Sequence, residues 1–156
     1  MTIGDYTRWR ADQARGYMER IRSTVASVDC RREEIERLSS KLLPAAVDYT
    51  GGPSGSVYGD AVPDGIAALE DAIGRYRADL GRFVREIDAA REAVERVAVP
   101  ERREILRLRY LCDMPLREAS ARLGYSYEGG KTLCTYALAD LWEHIPDEWR
   151  FEPTAL

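Results

Sequence analysis

Ten apolar side chains recur through residues 62–98 at alternating steps of three and four, and this pattern constrains the chain's fold most. They are Ile66, Leu69, Ile73, Tyr76, Leu80, Phe83, Ile87, Ala90, Val94 and Val97. Such spacing is the seam of a coiled coil: it lines one stripe of a long helix, and that stripe needs a partner to cover it. A matching but weaker seam runs through residues 5–43, with Ala14, Tyr17, Ile21, Val28, Ile35, Leu38 and Leu42. Thr24 and Arg31 interrupt it at two seam positions. Between the helices lies Asp48-Tyr-Thr-Gly-Gly-Pro-Ser-Gly-Ser-Val-Tyr-Gly-Asp60, a Gly/Pro/Ser-rich segment suited to a chain reversal. The two arms are of nearly equal length, roughly 55 Å each at 1.5 Å per residue, which favours folding back on one another.

The expected fold is therefore all-α: a long antiparallel coiled-coil-like helical hairpin over residues 1–99, with its tip at 44–65, followed by a different architecture. Val99-Pro100 marks the junction, because proline restricts the residue before it and suits the first turn of a helix. Residues 100–145 then read as a C-terminal helix-turn-helix module, and 146–156 as a short tail, with Trp142 and Trp149 packing back on the module. In the module, Leu116, Ala119, Ser120 and Leu123 place small and apolar groups on one face of a short helix, and Pro115 is expected to stop the helix before it. Gly124 follows where a left-handed residue ends a helix, and Ser126 offers a hydroxyl to the free N–H groups of the next one. Leu133, Ala137, Leu138 and Leu141 repeat at helical spacing and pack that second helix back. A helix so placed is the one that enters a DNA major groove in this motif.

These residues also resemble region 4 of sigma-70-type transcription factors. The resemblance rests on Leu108-Arg109-Tyr110-Leu111, then Leu116, Glu118, Ser120, Leu123, Gly124 and Ser126. Gly-Tyr-Ser-Tyr at 124–127 is similar to a phage-encoded group related to late-gene regulators of the ArpU and RinA type, in which a helical hairpin precedes such a module. The layout extends over nearly the whole chain, although only about 40 residues carry specific motifs. The resemblance implies a phage or prophage transcription regulator that binds double-stranded DNA, RNA polymerase, or both. The second helix departs from the family pattern, which is rich in Arg, Lys and His. Gly129 and Gly130 each cost about 1 kcal/mol relative to alanine in a helix interior, and Gly130 stands where the family packs a valine. A recognition helix that starts late or is loosely held is the expectation.

On this reading Tyr127, Glu128, Lys131, Thr132 and Thr135 face bases, while Arg117 and Arg122 meet phosphates. Glu128 is suited to a cytosine amino group, and Thr132 or Thr135 to a thymine methyl. Charge argues the other way. The chain carries a net −4, and residues 100–156 hold eight basic against ten acidic groups. A DNA-avid domain is usually basic, since neutralising phosphates supplies much of the affinity. A protein-interaction module that binds RNA polymerase or another regulator with little DNA contact is the alternative.

No chemistry competes with these readings. Gly129-Gly130-Lys131-Thr132 ends like a phosphate-binding loop, but Tyr125 occupies the position where the first glycine belongs and no strand precedes it. The Gly-rich segment at 51–59 lacks the dinucleotide spacing. His144 is the only histidine, so no Cys/His metal site and no His-activated nucleophile can be assembled. No catalytic residue, metal or cofactor is expected. Cys30, Cys112 and Cys134 are odd in number and scattered, which fits reduced thiols in a cytoplasmic protein, with Cys112 and Cys134 as core residues. No apolar run approaches the roughly 20 residues of a membrane span, and Met-Thr-Ile-Gly-Asp-Tyr offers neither a basic start nor an apolar core, so no secretory signal is expected. Trp9 and Tyr6 are candidates for docking on the module or a second chain, beside a plain core role. A homodimer is compatible with the seams, since a pattern that satisfies a hairpin also satisfies an intermolecular pair.

Overall fold

The structure is a computed structural model that describes residues 2–42 and 61–152. Most of the Gly/Pro/Ser-rich segment expected at the tip, residues 44–60, and tail residues 153–156 lie outside the described residues. Among the described residues every regular element is helical. They are α1 (Ile3–Leu42), α2 (Ala61–Glu95), α3 (Pro100–Leu106), a π-helical turn (Arg107–Leu111), α4 (Leu116–Arg122), α5 (Tyr127–Leu141), and two 3₁₀ turns at Trp142–His144 and Asp147–Trp149. No described helix is long and apolar enough to cross a membrane.

Local chemistry accounts for most boundaries. The Thr2 hydroxyl accepts from the Asp5 N–H (3.2 Å), and the Asp5 carboxylate accepts from the Thr2 N–H (3.1 Å). This reciprocal box caps α1, and donation from the Thr2 hydroxyl (2.6 Å), followed by the Thr2 N–H, holds the Asp5 carboxyl below its usual value. Pro63 falls in the first turn of α2, where its missing N–H has no intrahelical acceptor to lose. Val99 is extended (φ −82°, ψ 116°) and Pro100 opens α3.

The chain divides into two compact units, Met1–Ala26 with Phe83–Leu156, and Ser27–Arg82. In the second unit, Arg31 reaches Asp79 (2.9 Å), Arg75 reaches Glu34 (3.6 Å), and Leu42 lies beside Gly65. Those partners run in opposite directions along the two segments, so α1 and α2 are antiparallel here. Ala72 is buried and Leu69, Ile73, Tyr76 and Leu80 are half-buried, whereas the seam residue Ile66 is 46% exposed. Arg31, which breaks the apolar seam of α1, is thus answered by a carboxylate.

The first unit holds the larger core. Ala11, Ala14, Tyr17, Met18 and Ile21 of α1 join Ala90, Ala93, Val94 and Val97 in one buried cluster with Ile105, Leu106, Tyr110, Leu138, Leu141 and Trp142. Thr24, the other interruption of the seam, is buried and its hydroxyl donates to Arg20 O (3.1 Å) and lies 3.2 Å from the Glu86 carboxylate. Each polar seam residue therefore has a partner on α2, which relieves the cost of leaving a buried hydroxyl or charge unpaired.

Aromatic contacts fasten α1 to the end of α5. Tyr6 stacks on Trp9 with centroids 5.7 Å apart, and Trp9 meets the buried Trp142, also at 5.7 Å. Arg10 lies over the Trp142 ring (4.6 Å) and bonds Glu143 (2.6 Å). The residues expected as an irregular tail are organised by one side chain: the Gln13 carbonyl oxygen accepts from Trp142 Nε1 (3.1 Å) and Phe151 N (2.7 Å), and its amide donates to Phe151 O (3.1 Å). Trp149 packs on Tyr17 of α1 (5.8 Å).

Two expectations need correction. Pro115 does not stop the preceding helix: the helix closes four residues earlier, where the Cys112 N–H reaches back five residues to Arg107 O (3.0 Å) and Asp113 turns left-handed (φ 51°). Pro115 instead caps α4 with extended backbone (ψ 138°). Cys112 is exposed at this corner, because the wide turn carries it off the buried face, and only Cys134 is a core thiol. Asp113 is held by Arg22 of α1, which it contacts through its carboxylate. A non-glycine residue in this conformation costs about 1 kcal/mol, so Asp113→Ala is expected to melt several degrees below Asp113→Gly. Equal melting temperatures by circular dichroism would place no strain at the corner.

Candidate DNA-contact surface

The surface is built by α4, the turn and α5. Leu123 N–H bonds Ser120 O (3.1 Å), Gly124 takes the left-handed conformation (φ 78°), and Tyr125 N–H returns to Ser120 O (2.9 Å). That residue needs glycine to end α4 without strain. The Ser126 hydroxyl accepts from the Gly129 N–H (3.1 Å), capping α5 where the sequence predicted. The late start expected for this helix is corrected: α5 begins at Tyr127, directly after its cap, and runs unbroken through both glycines. Gly130 faces Ser120 so closely that an added Cβ would stand 2.5 Å from the serine Cβ and nearer still to its hydroxyl oxygen. Ser120 is fully buried, and its hydroxyl donates to Leu116 O (2.6 Å). Glycine at 130 is the residue that lets α4 and α5 meet at this distance.

Cys134, Ala137, Leu138 and Leu141 turn inward, and α5 packs against both α3 and α4. The opposite stripe faces outward: Glu128, Lys131, Thr132 and Tyr136 are exposed and Thr135 is half-buried, at the i, i+3, i+4, i+7, i+8 spacing of one helix face. Four of the seven sequence-selected residues form one cluster. Arg117 covers the Tyr127 ring (4.5 Å), Lys131 Nζ lies 4.7 Å from the same ring, and Lys131 bonds Glu128 (2.9 Å). That bond raises the Lys131 pKa, so its ammonium persists well above neutral pH.

The remaining three are placed differently. Arg122 pairs with Glu118 along α4 (3.6 Å) and meets no ring among the described residues. Thr132 and Thr135 each return their hydroxyl hydrogens to the helix, to Glu128 O (3.2 Å) and Lys131 O (3.0 Å), which leaves their methyl groups and hydroxyl lone pairs as contact groups. Sequence reasoning missed Tyr136, which is 48% exposed on the same stripe and lies under Arg102 (5.3 Å), itself bonded to Asp140 (2.6 Å). Its i+4 spacing from Thr132 was the available signal. Most cations of the module are ion-paired, while Arg117 has an aromatic partner and no carboxylate within salt-bridge distance among the described residues.

No cluster of three His, Cys, Asp or Glu side chains is placed to hold a metal among the described residues. Comparison with models of protein families, with curated proteins and with solved structures finds no match to this chain.

Proposed function

We propose that this chain is a DNA-binding transcription regulator of phage or prophage type, acting in the cytoplasm, in which a coiled-coil-like helical hairpin precedes a sigma region 4-like helix-turn-helix. The observation that carries the reading is the Ser120–Gly130 contact: it clamps α5 at a fixed angle on α4 while a continuous stripe of α5 stays outward. A fixed helix with a free polar face is what direct readout in a major groove requires. Arg117, Tyr127, Lys131 and Glu128 sit at its N-terminal end, the part of a recognition helix that meets base edges. Thr132, Thr135 and Tyr136 extend the stripe.

A second reading is favoured by the ion pairing of the module's cations: a protein-interaction module that binds RNA polymerase or another regulator and touches DNA little. Fluorescence anisotropy with labelled duplexes at about 50 and 200 mM salt separates the two, because phosphate-driven binding falls steeply over that range. The DNA reading expects affinity that weakens with salt and drops about tenfold in Lys131→Ala. Absence of duplex binding at the lower salt would leave the protein-partner reading standing.

A further inference from the structure

Beside the outward stripe of α5 runs an open groove that sequence reasoning did not anticipate. Arg15 and Glu19 of α1 form one wall, Arg109 of the π-helical turn stands at one side, and Lys131 and Thr135 of α5 form the opposite wall over a floor that includes Cys134. We propose that this groove seats a phosphodiester strand of DNA, so that α1 and the π-helical turn extend the contact surface beyond α4 and α5. The inference rests on the DNA reading above and specifies where the backbone of the duplex lies.

Three observations carry it. Lys131 and Thr135 belong both to the outward stripe and to the groove, so a duplex engaging the stripe brings a phosphate strand alongside it. Three cations line the groove against one carboxylate, Glu19. Two of the three have exchangeable partners: Arg15 pairs with Asp12 and Lys131 with Glu128 as exposed i,i+3 neighbours, while the more shielded Arg109 stands 3.8 Å from Glu19. Solvent and salt weaken such pairs, whereas a phosphate offers several acceptor oxygens and releases counterions on contact.

The π-helical turn supplies the third observation. Its extra residue lets Cys112 N–H bond Arg107 O, and within that turn Arg109 donates to Met114 O (3.2 Å), which tethers the guanidinium at the groove. Inserted turns of this kind are rare and concentrate at functional positions. Cys134 and Tyr110 sense the same charges: burial raises both above their usual pKa values, so both stay protonated and add no negative charge beneath the strand.

The test uses the full chain and a labelled mixed-sequence duplex, with affinity followed from about 50 to 200 mM salt. Arg15→Gln and Arg109→Gln should each flatten the log–log salt dependence by roughly 0.9, the loss expected for one phosphate contact. Glu19→Gln should tighten binding several-fold at low salt, and Arg8→Gln, exposed on α1 outside the groove, should change neither. Arg109 also braces the turn, so if its variant melts early, Arg15→Gln and Glu19→Gln decide the matter. Salt slopes unchanged in Arg15→Gln, with a slope reduced by Arg117→Gln, would overturn the groove and leave the DNA reading intact. No duplex binding by the unsubstituted chain would overturn both.

Discussion

Gly130→Val is expected to destabilise the protein severely, although valine is the residue that the resembled family packs at this place. Even Gly130→Ala puts a Cβ 2.5 Å from the Ser120 Cβ, a separation that non-bonded carbons do not adopt. A rotamer change of Ser120 moves only its hydroxyl, which already lies closer, so the two helices themselves must part. Overpacking of this kind typically costs about 1 to 3 kcal/mol, and the branched side chain belongs at or beyond the upper end. Chemical denaturation of the three proteins provides the measurement. Ser120→Gly combined with Gly130→Ala should recover much of the loss of the single alanine variant, because it vacates the space that the new methyl needs. An alanine variant as stable as the parent would show that α4 and α5 are not clamped here, and would remove the contact on which the proposed DNA reading rests.

The second large effect concerns the module cut free. Residues 100–156 expressed alone should lack a cooperative thermal transition and lose most of their helical circular dichroism. The reason lies in the core: Ile105, Leu106, Leu138, Leu141 and Trp142 share their buried cluster with Ala11, Ala14, Tyr17, Met18 and Ile21 of α1 and with Val94 and Val97. Without them, the helical pieces of the segment expose the apolar faces that fold them, in a segment already near the lower size limit for an independent core. Gln13 would also be missing from Trp142 and Phe151. In the intact chain, Met18→Ala gives a graded version of the same effect, about 2 to 5 kcal/mol, since Met18 is fully buried. A cooperative melt from the isolated segment would show instead that α1 only decorates a self-sufficient module.

These two cases mark where sequence reasoning reached and where it stopped. Spacing predicts the long helices, because a seam of ten apolar residues is a property of order along the chain. Gly124 and Ser126 are legible for the same reason: a left-handed helix end and an N-cap are decided by the residue and its immediate neighbours. So was the start of α3 at Pro100.

Gly130 looked like a weakness because helix propensity is local, and its actual role depends on Ser120, ten residues away and across a helix contact. The exposed position of Cys112 and the early end of the helix before Pro115 depend on a π-helical turn, which no residue pattern announces. Thr24 and Arg31 read as flaws in a seam until Glu86 and Asp79 appear opposite them.

The candidate site divides in the same way. Residues of α4 and α5 could be chosen from periodicity, since it separates an inward face from an outward one, and Arg117, Tyr127, Glu128 and Lys131 do come together. Arg15, Glu19 and Arg109 could not, because they reach the side of α5 from α1 and from a turn more than twenty residues before Lys131. By itself, then, the sequence determined the all-helical class, the helix ends set by proline, glycine and serine, and the face that α5 turns outward. Only the tertiary structure decided which residues share that face from other elements, and why Gly130 must be glycine, for both follow from distances between residues that order along the chain does not contain.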